Sequence, residues 1–167
     1  MKLIEGYADV DDLDAFLDRL NAIAADHGVT VQAFDARYVV GRTHLERAVE
    51  LADRAIAREE NVAHDREVEI LLYAAGRRQI DDALTMGVSE GRTPVVVLVS
   101  DDGGDGAAEA AAAAAVDDLV DSASTLAEAD AELVRSFFDV TAAELDAVDG
   151  DLADLVVERV ALLDVEK

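Results

Sequence analysis

The apolar positions change period within residues 67–91 (EVEILLYAAGRRQIDDALTMGVSEG), and the chain is best read outward from that change. Val68, Leu71, Leu72 and Ala75 follow the i, i+3, i+4, i+7 spacing that predicts a helix with one buried face. Ile70, Tyr73 and Ala74 widen that face, so the helix should be largely enclosed. Gly76 is the expected stop, because glycine accepts the left-handed backbone that ends many helices. Arg77, Arg78 and Gln79 fall together at the break. A second helix should follow, with Ile80, Ala83 and Leu84 inward and Asp81 and Asp82 in its first turn, ending at Gly87.

The same reading extends along the chain. Lys2 to Ala8 reads as a strand, with Gly6 marking a bulge or a close approach. Val10 to His27 reads as a helix whose inner face is Leu13, Phe16, Leu17, Leu20 and Ile23 or Ala24, capped by Gly28. Val29 to Phe34 alternates and predicts a second strand with Val29, Val31 and Ala33 on one face. Asp35 to Gly41 is a connection containing the short apolar piece Tyr38-Val39-Val40. Thr43-His-Leu-Glu46 matches a capping box and predicts a helix burying Leu45, Ala48, Val49, Ala52 and Ile56, with Glu50 and Arg54 paired outside, ending near Arg58. Glu59 to His64 reads as loop.

Pro94 should open the clearest strand, Val95 to Val99, whose continuous apolar run predicts a central strand covered on both faces. Asp101 to Gly106 (DDGGDG) reads as an acidic turn without the ligand spacing of a calcium-binding loop. The alanine tract from Ala107 to Ala115 predicts a helix continuing to Val120. Ser122 to Leu126 reads as extended. Asp130 to Phe138 reads as a helix burying Leu133, Val134, Phe137 and Phe138. Thr141-Ala-Ala-Glu144 is a second capping-box match, and Asp151 to about Val160 is the last helix. Leu162, Leu163 and Val165 read as a final strand. No internal repeat or flexible linker divides the chain. The expectation is one compact mixed α/β (α+β) domain over residues 1–167, a small central sheet of about four strands packed with helices.

The chain has 167 residues and a formal net charge of −24, and only Lys2 and Lys167 of its 14 basic residues are lysines. Disorder is excluded by 51% hydrophobic residues and clear periodicity. The remaining explanation is a folded protein with a surface adapted to molar salt. In dilute buffer such a charge opposes nucleic-acid binding, but at about 1 M salt the Debye length is about 3 Å. Only contacts at hydrogen-bond distance then count, so an RNA ligand is allowed while diffuse basic attraction is not. The absence of cysteine removes disulfides and thiolate chemistry. No signal peptide and no apolar run approaching the roughly 20 residues of a membrane helix is visible, so the protein is expected to be cytoplasmic with no membrane partner.

Catalytic signatures are absent. There is no phosphate loop of the form GxxxxGK[ST], no GxGxxG after a strand, no serine in a nucleophile elbow and no metal-ligand spacing among His27, His44 and His64. No enzyme activity, cofactor or metal is expected. The corner at Arg77 and Arg78 has two readings. Arginine forks displayed there suit a phosphate or base edge; alternatively both arginines answer the negative end of the preceding helix and pair with Asp81 and Asp82. His44, in the first turn of a helix, should be neutral, either stacking or hydrogen-bonding to a ligand or lying idle on the surface.

Glu69-Ile-Leu-x-x-Ala-x-Gly76-x-Arg78-Gln79-Ile80, followed by an alanine-bearing helix, closely resembles the archaeal form of the small tRNA-binding subunit of KEOPS, whose eukaryotic relative is known as the PRPK-binding protein. Asp35-Ala36-x-x-Val39 leading to His44, the strand at Val95 to Val99, and the closing Glu158-Arg-Val-Ala-Leu-Leu-Asp164 are similar to segments of the same family. The resemblance implies a non-catalytic role in forming threonylcarbamoyl-adenosine in tRNA, with two partners besides the remainder of the KEOPS complex. One is the kinase/ATPase subunit; the other is the 3′ CCA end of tRNA. Arg78, Gln79, Ile80 and His44 fall on motif positions for tRNA binding. Arg77 and Arg42 join them as phosphate contacts by their nearness in sequence. For the kinase/ATPase subunit, the resemblance points to a helical surface near the C-terminus, where Leu152, Leu155 and Val156 form an apolar stripe that is either interface or core. Two alternatives stay open: a purely protein-binding regulator of the kinase/ATPase subunit without RNA contact, and a small enzyme using Arg78 and His44 on a phosphorylated metabolite.

Overall fold

The computed structural model describes residues 1–104, 106–148 and 150–166, the side chains of 165 and 166 excepted. In chain order its elements are β1 (Lys2–Val10), α1 (Leu13–His27), β2 (Thr30–Asp35), α2 (Arg42–Ala57), α3 (Arg66–Ala75), α4 (Ile80–Ala83), β3 (Gly91–Ser100), α5 (Ala107–Asp117), β4 (Asp121–Ser122), α6 (Ala131–Phe137), α7 (Ala142–Ala147) and α8 (Leu152–Glu166). The fold class is mixed α/β, as expected. The chain sorts into two compact units, Met1–Ala36 with Gly87–Glu128, and Arg37–Met86 with the residues from Ala129 onward. Each unit is built from two separate stretches of chain, so no linker in the sequence marks them.

The first unit holds the sheet. Its strands are ordered β2-β3-β1-β4, and every neighbouring pair is antiparallel. β3 is central and its Val95 to Val99 are fully buried. Register sets the core row by row: Ile4 and Ala33 both stand opposite Val97, and Val31 stands opposite Val99. Phe16 and Leu20 of α1 and Ala112 and Val116 of α5 join this face. Pro94 lies one residue past the end of the β2 pairing, where a strand tolerates a missing N–H. Glu109 of the alanine helix is buried and accepts the Asp101 N–H at 3.0 Å, which ties down the acidic turn; Asp105 of that turn lies outside the described residues.

Gly6 makes the close approach anticipated for it. A β-carbon there would sit 2.5 Å from the carbonyl oxygen of Asp121, its partner strand being the two-residue β4.

The second unit is helical. α2 packs on α3 and α8, and α3 on α8. From Ile70 to Ala75 every residue of α3 is buried. Glu69 is buried too, its carboxylate accepting the N–H groups of Val62 at 2.9 Å and Ala63 at 3.0 Å. Tyr73 donates its hydroxyl to Asp164 at 2.9 Å.

Several expectations need correction. Val10 belongs to β1, and α1 begins only after Asp12, whose carboxylate accepts the Ala15 N–H at 3.2 Å. Leu17 is 39% exposed rather than inward. The helix expected at Thr43 starts at Arg42 with Gly41 as its cap, so Thr43 caps nothing and Glu46 instead holds Arg42 at 2.7 Å. The box at Thr141 and Glu144 does form, with both reciprocal bonds present. Residues 162–165 are not a strand but the end of α8. Leu152, Leu155, Val156, Val160 and Leu163 keep a helical period straight through them, and the fourth strand is supplied by Asp121 and Ser122. Among the described residues no helix is long and apolar enough to cross a membrane.

Because the obstruction at Gly6 is backbone, Gly6→Ala should cost about 1–3 kcal/mol of stability, read as a lower midpoint in chemical denaturation with α1 and β3 retained.

Candidate nucleic-acid interface

The corner begins with how α3 ends. Gly76 takes a left-handed conformation, φ 60° and ψ 34°. The Arg77 N–H reaches back to the Leu72 carbonyl and the Gly76 N–H to the Tyr73 carbonyl, both at 3.0 Å. These are the paired 6→1 and 5→2 bonds of a Schellman motif. Ala74, one residue further on, has a carbonyl with no helical partner left, and His44 supplies one at 2.7 Å.

His44 is thereby placed far from the role expected of it. It is fully buried. Its Nδ1 accepts the Val40 N–H at 3.3 Å, so Nε2 carries the proton and donates to Ala74. Phe138 stands edge-on to its ring at 5.7 Å between centroids. Both nitrogens are taken and the imidazole has no exposed face to stack on a ligand. Burial lowers its pKa from 6.5 to about 4, against the opposing effect of the Ala74 bond. Burial, and not the helix dipole invoked from sequence, is what favours the neutral ring at this position.

Beyond Gly76 the chain turns outward. Arg78, Gln79 and Ile80 are all exposed. α4 is a single turn followed by a 3-10 turn at Leu84–Met86, and only Ala83 and Met86 are buried. Ile80 and Leu84, expected inward, are 46% and 54% exposed. A helix this short has no second turn to carry both onto the core. Among the described residues Arg78 makes no ion pair, with Asp81 and Asp82 or otherwise. The corner therefore offers one guanidinium, one carboxamide and two apolar side chains to solvent.

Arg77 behaves differently from its neighbour. It is half-buried, donates from Nη2 to the carbonyl of Phe137, and lies over the Phe137 ring at 4.7 Å. It does answer a helix C-terminus, but that of α6 rather than of α3. Arg159 of α8 serves the same end, donating to the Phe138 carbonyl at 3.2 Å and to Glu144 at 2.6 Å. Gly76, Arg77, Phe137, Asp139, Arg159 and Leu162 line a small cavity beside the corner. Phe137 as a platform and Arg159 as a clamp were not foreseen, because their sequence positions carry no periodic signal toward Gly76. Arg42 is exposed and paired with Glu46, two residues from His44.

The apolar stripe near the C-terminus resolves mostly as core. Leu155 and Val156 are buried, and only Leu152 keeps partial exposure. As it stands α8 does not present these three residues as a surface.

Two outcomes follow from this geometry. Leu155→Glu buries an unpaired charge, which costs several kcal/mol, and should abolish the cooperative unfolding transition seen by circular dichroism. His44 makes stability depend on pH in one window. Above pH 6.5 its ring is neutral folded and unfolded, and pH has no leverage. Between 6.5 and about 4 the unfolded chain takes up a proton that the folded one refuses, so stability falls as pH falls. Below about 4 both states bind it and the loss stops growing. The full effect is about 3 kcal/mol, measured as the difference between wild type and His44→Gln in denaturant titrations from pH 7 to 4.

The family model described as kinase binding protein CGI-121 matches residues 7–164 of the chain, across both units and the whole of the corner. No curated protein matches it. With nearly the full length covered by that match, the chain belongs to the kinase binding protein CGI-121 family.

Proposed function

We propose that this chain is a non-catalytic subunit of an archaeal KEOPS complex. It binds the kinase/ATPase subunit and grips the 3′ CCA end of tRNA, bringing the substrate to the machinery that forms threonylcarbamoyl-adenosine. The kinase half of this reading is supported by the family's description as kinase-binding, which agrees with the KEOPS resemblance of its motifs. Leu155 and Val156 are internal to α8's packing, so the kinase/ATPase subunit engages other residues.

The observation that carries the RNA half is the exposed run Arg78-Gln79-Ile80 on a helix end closed by Gly76. Single-stranded RNA ends are recognised through base edges, stacking on flat groups and short phosphate contacts. A guanidinium fork with no ion pair among the described residues supplies phosphate or base-edge donors, the carboxamide of Gln79 reads a base edge, and Ile80 with Leu84 offers an apolar floor. Arg42 lies exposed at the start of α2 as a further phosphate contact that must first release Glu46. The net charge of −24 supports a working medium of molar salt, of haloarchaeal type, in which these contacts would act without long-range attraction.

The test is binding of whole tRNA, and of tRNA lacking its 3′ CCA, in molar KCl, by wild type and Arg78→Glu. Binding is expected only with the CCA end and with Arg78. Its salt dependence between 1 and 3 M KCl should be shallow, and a steep slope would sink the short-range reading. A folded wild type that binds neither tRNA would leave the protein-binding regulator of the kinase/ATPase subunit as its function.

A further inference from the structure

We propose that Arg77 is a positioning residue that holds the corner in register for Arg78, and not a phosphate contact. The inference rests on the tRNA-binding reading above and assigns a role within that same site. Arg77 and Arg78 are adjacent in sequence and opposite in environment. Arg78 is exposed and has no ion pair among the described residues, whereas Arg77 is half-buried against Phe137.

Phe137 is a fixed platform. Its ring stands edge-on to Tyr38 at 5.5 Å and to Phe138 at 5.0 Å between centroids. Its carbonyl belongs to the last turn of α6, which has no helical donor of its own and lies at the negative end of the helix. Arg77 meets both features at once. It donates to the carbonyl while its guanidinium carbon lies over the ring at 4.7 Å from the centroid. Arg159 fixes the next two carbonyls, those of Phe138 and Asp139, at 3.2 and 3.3 Å. On its other side the Arg77 N–H closes the Schellman motif of α3 at 3.0 Å. Backbone and side chain of one residue thus tie the end of α3 to the end of α6, immediately before the residue that faces solvent. A ligand-binding corner ordered in advance loses less conformational freedom on binding.

Lysine serves this arrangement poorly, because one compact ammonium must divide itself between ring and carbonyl, whereas the extended guanidinium meets both at once. It would serve nearly as well at a phosphate. Arg77→Lys therefore separates the two roles, and Phe137→Leu, which keeps the carbonyl and removes the platform, is the second variant should Arg77→Lys fold poorly.

The experiment has two arms. In the first, without RNA, backbone order parameters are measured by nuclear magnetic resonance in molar KCl. Arg77→Lys should keep the thermal midpoint while residues 77–80 move from rigid values near about 0.85 toward the flexible range below about 0.6. Unchanged order parameters would overturn the proposal. The second arm is a double-mutant cycle on tRNA carrying its CCA end. Arg77→Lys should weaken binding about tenfold, the size of a lost hydrogen bond to a charged group, but cost nothing further in an Arg78→Gln background. An equal cost in both backgrounds, or binding like wild type, would also overturn it. If wild type does not bind tRNA at all, the recruiting function fails, and the first arm alone decides whether Arg77 holds the corner.

Discussion

The end of α3 is the constraint on which the helical unit of this protein depends. A helix that leaves its last carbonyls without partners in a buried place is unstable, and α3 ends fully buried. Leu72 and Tyr73 are answered from within by the N–H groups of Arg77 and Gly76. Ala74 is answered from α2 by His44. After this closure the next three residues, Arg78 to Ile80, turn out to solvent. The bond from His44 also explains why a histidine sits in the first turn of α2. Its Nε2–H must donate and its Nδ1 must accept, and a neutral imidazole does both.

The same part of the chain shows how an acidic protein spends its few cations. Arg66 holds Asp53 at 2.7 Å, Arg159 holds Glu144, and Arg77 rests on Phe137. Among the described residues Arg78 has none of these restraints. In dilute solution an exposed arginine among so many carboxylates would count for little. In molar salt, where screening acts over a few ångströms, a single cation placed at contact distance has the same reach as a larger basic patch.

Legibility of the fold from sequence was uneven, for identifiable reasons. α3 and its stop at Gly76 could be read because a buried helix repeats a period over several turns. β3 could be read because five consecutive apolar residues bounded by Pro94 fit little else. Ile80 and Leu84 escape such a reading because the helical period does not last beyond a single turn there, and the tail at 162–165 because two adjacent leucines resemble a strand when the helical phase is dropped. The first capping box failed because the T-x-x-E pattern is satisfied equally by a helix that starts earlier. Of the corner, Arg78 and Gln79 are displayed as the break at Gly76 suggests, whereas Ile80, expected inward, is exposed. Arg77 and His44 are not so displayed, since whether a side chain turns inward is decided by what waits for it there.

The sequence by itself determined the positions of the long elements, the break at Gly76 and the identity of the residues beside it, because these follow from local periodicity and from one residue's backbone freedom. Tertiary structure alone decided that two neighbouring arginines have different surroundings and that a histidine 30 residues upstream of Ala74 closes its helix. It also decided that Leu155 and Val156 are core. Each of those outcomes depends on groups distant in sequence being brought within about 3–5 Å, the range over which hydrogen bonds and ring contacts act, and no local pattern encodes that meeting.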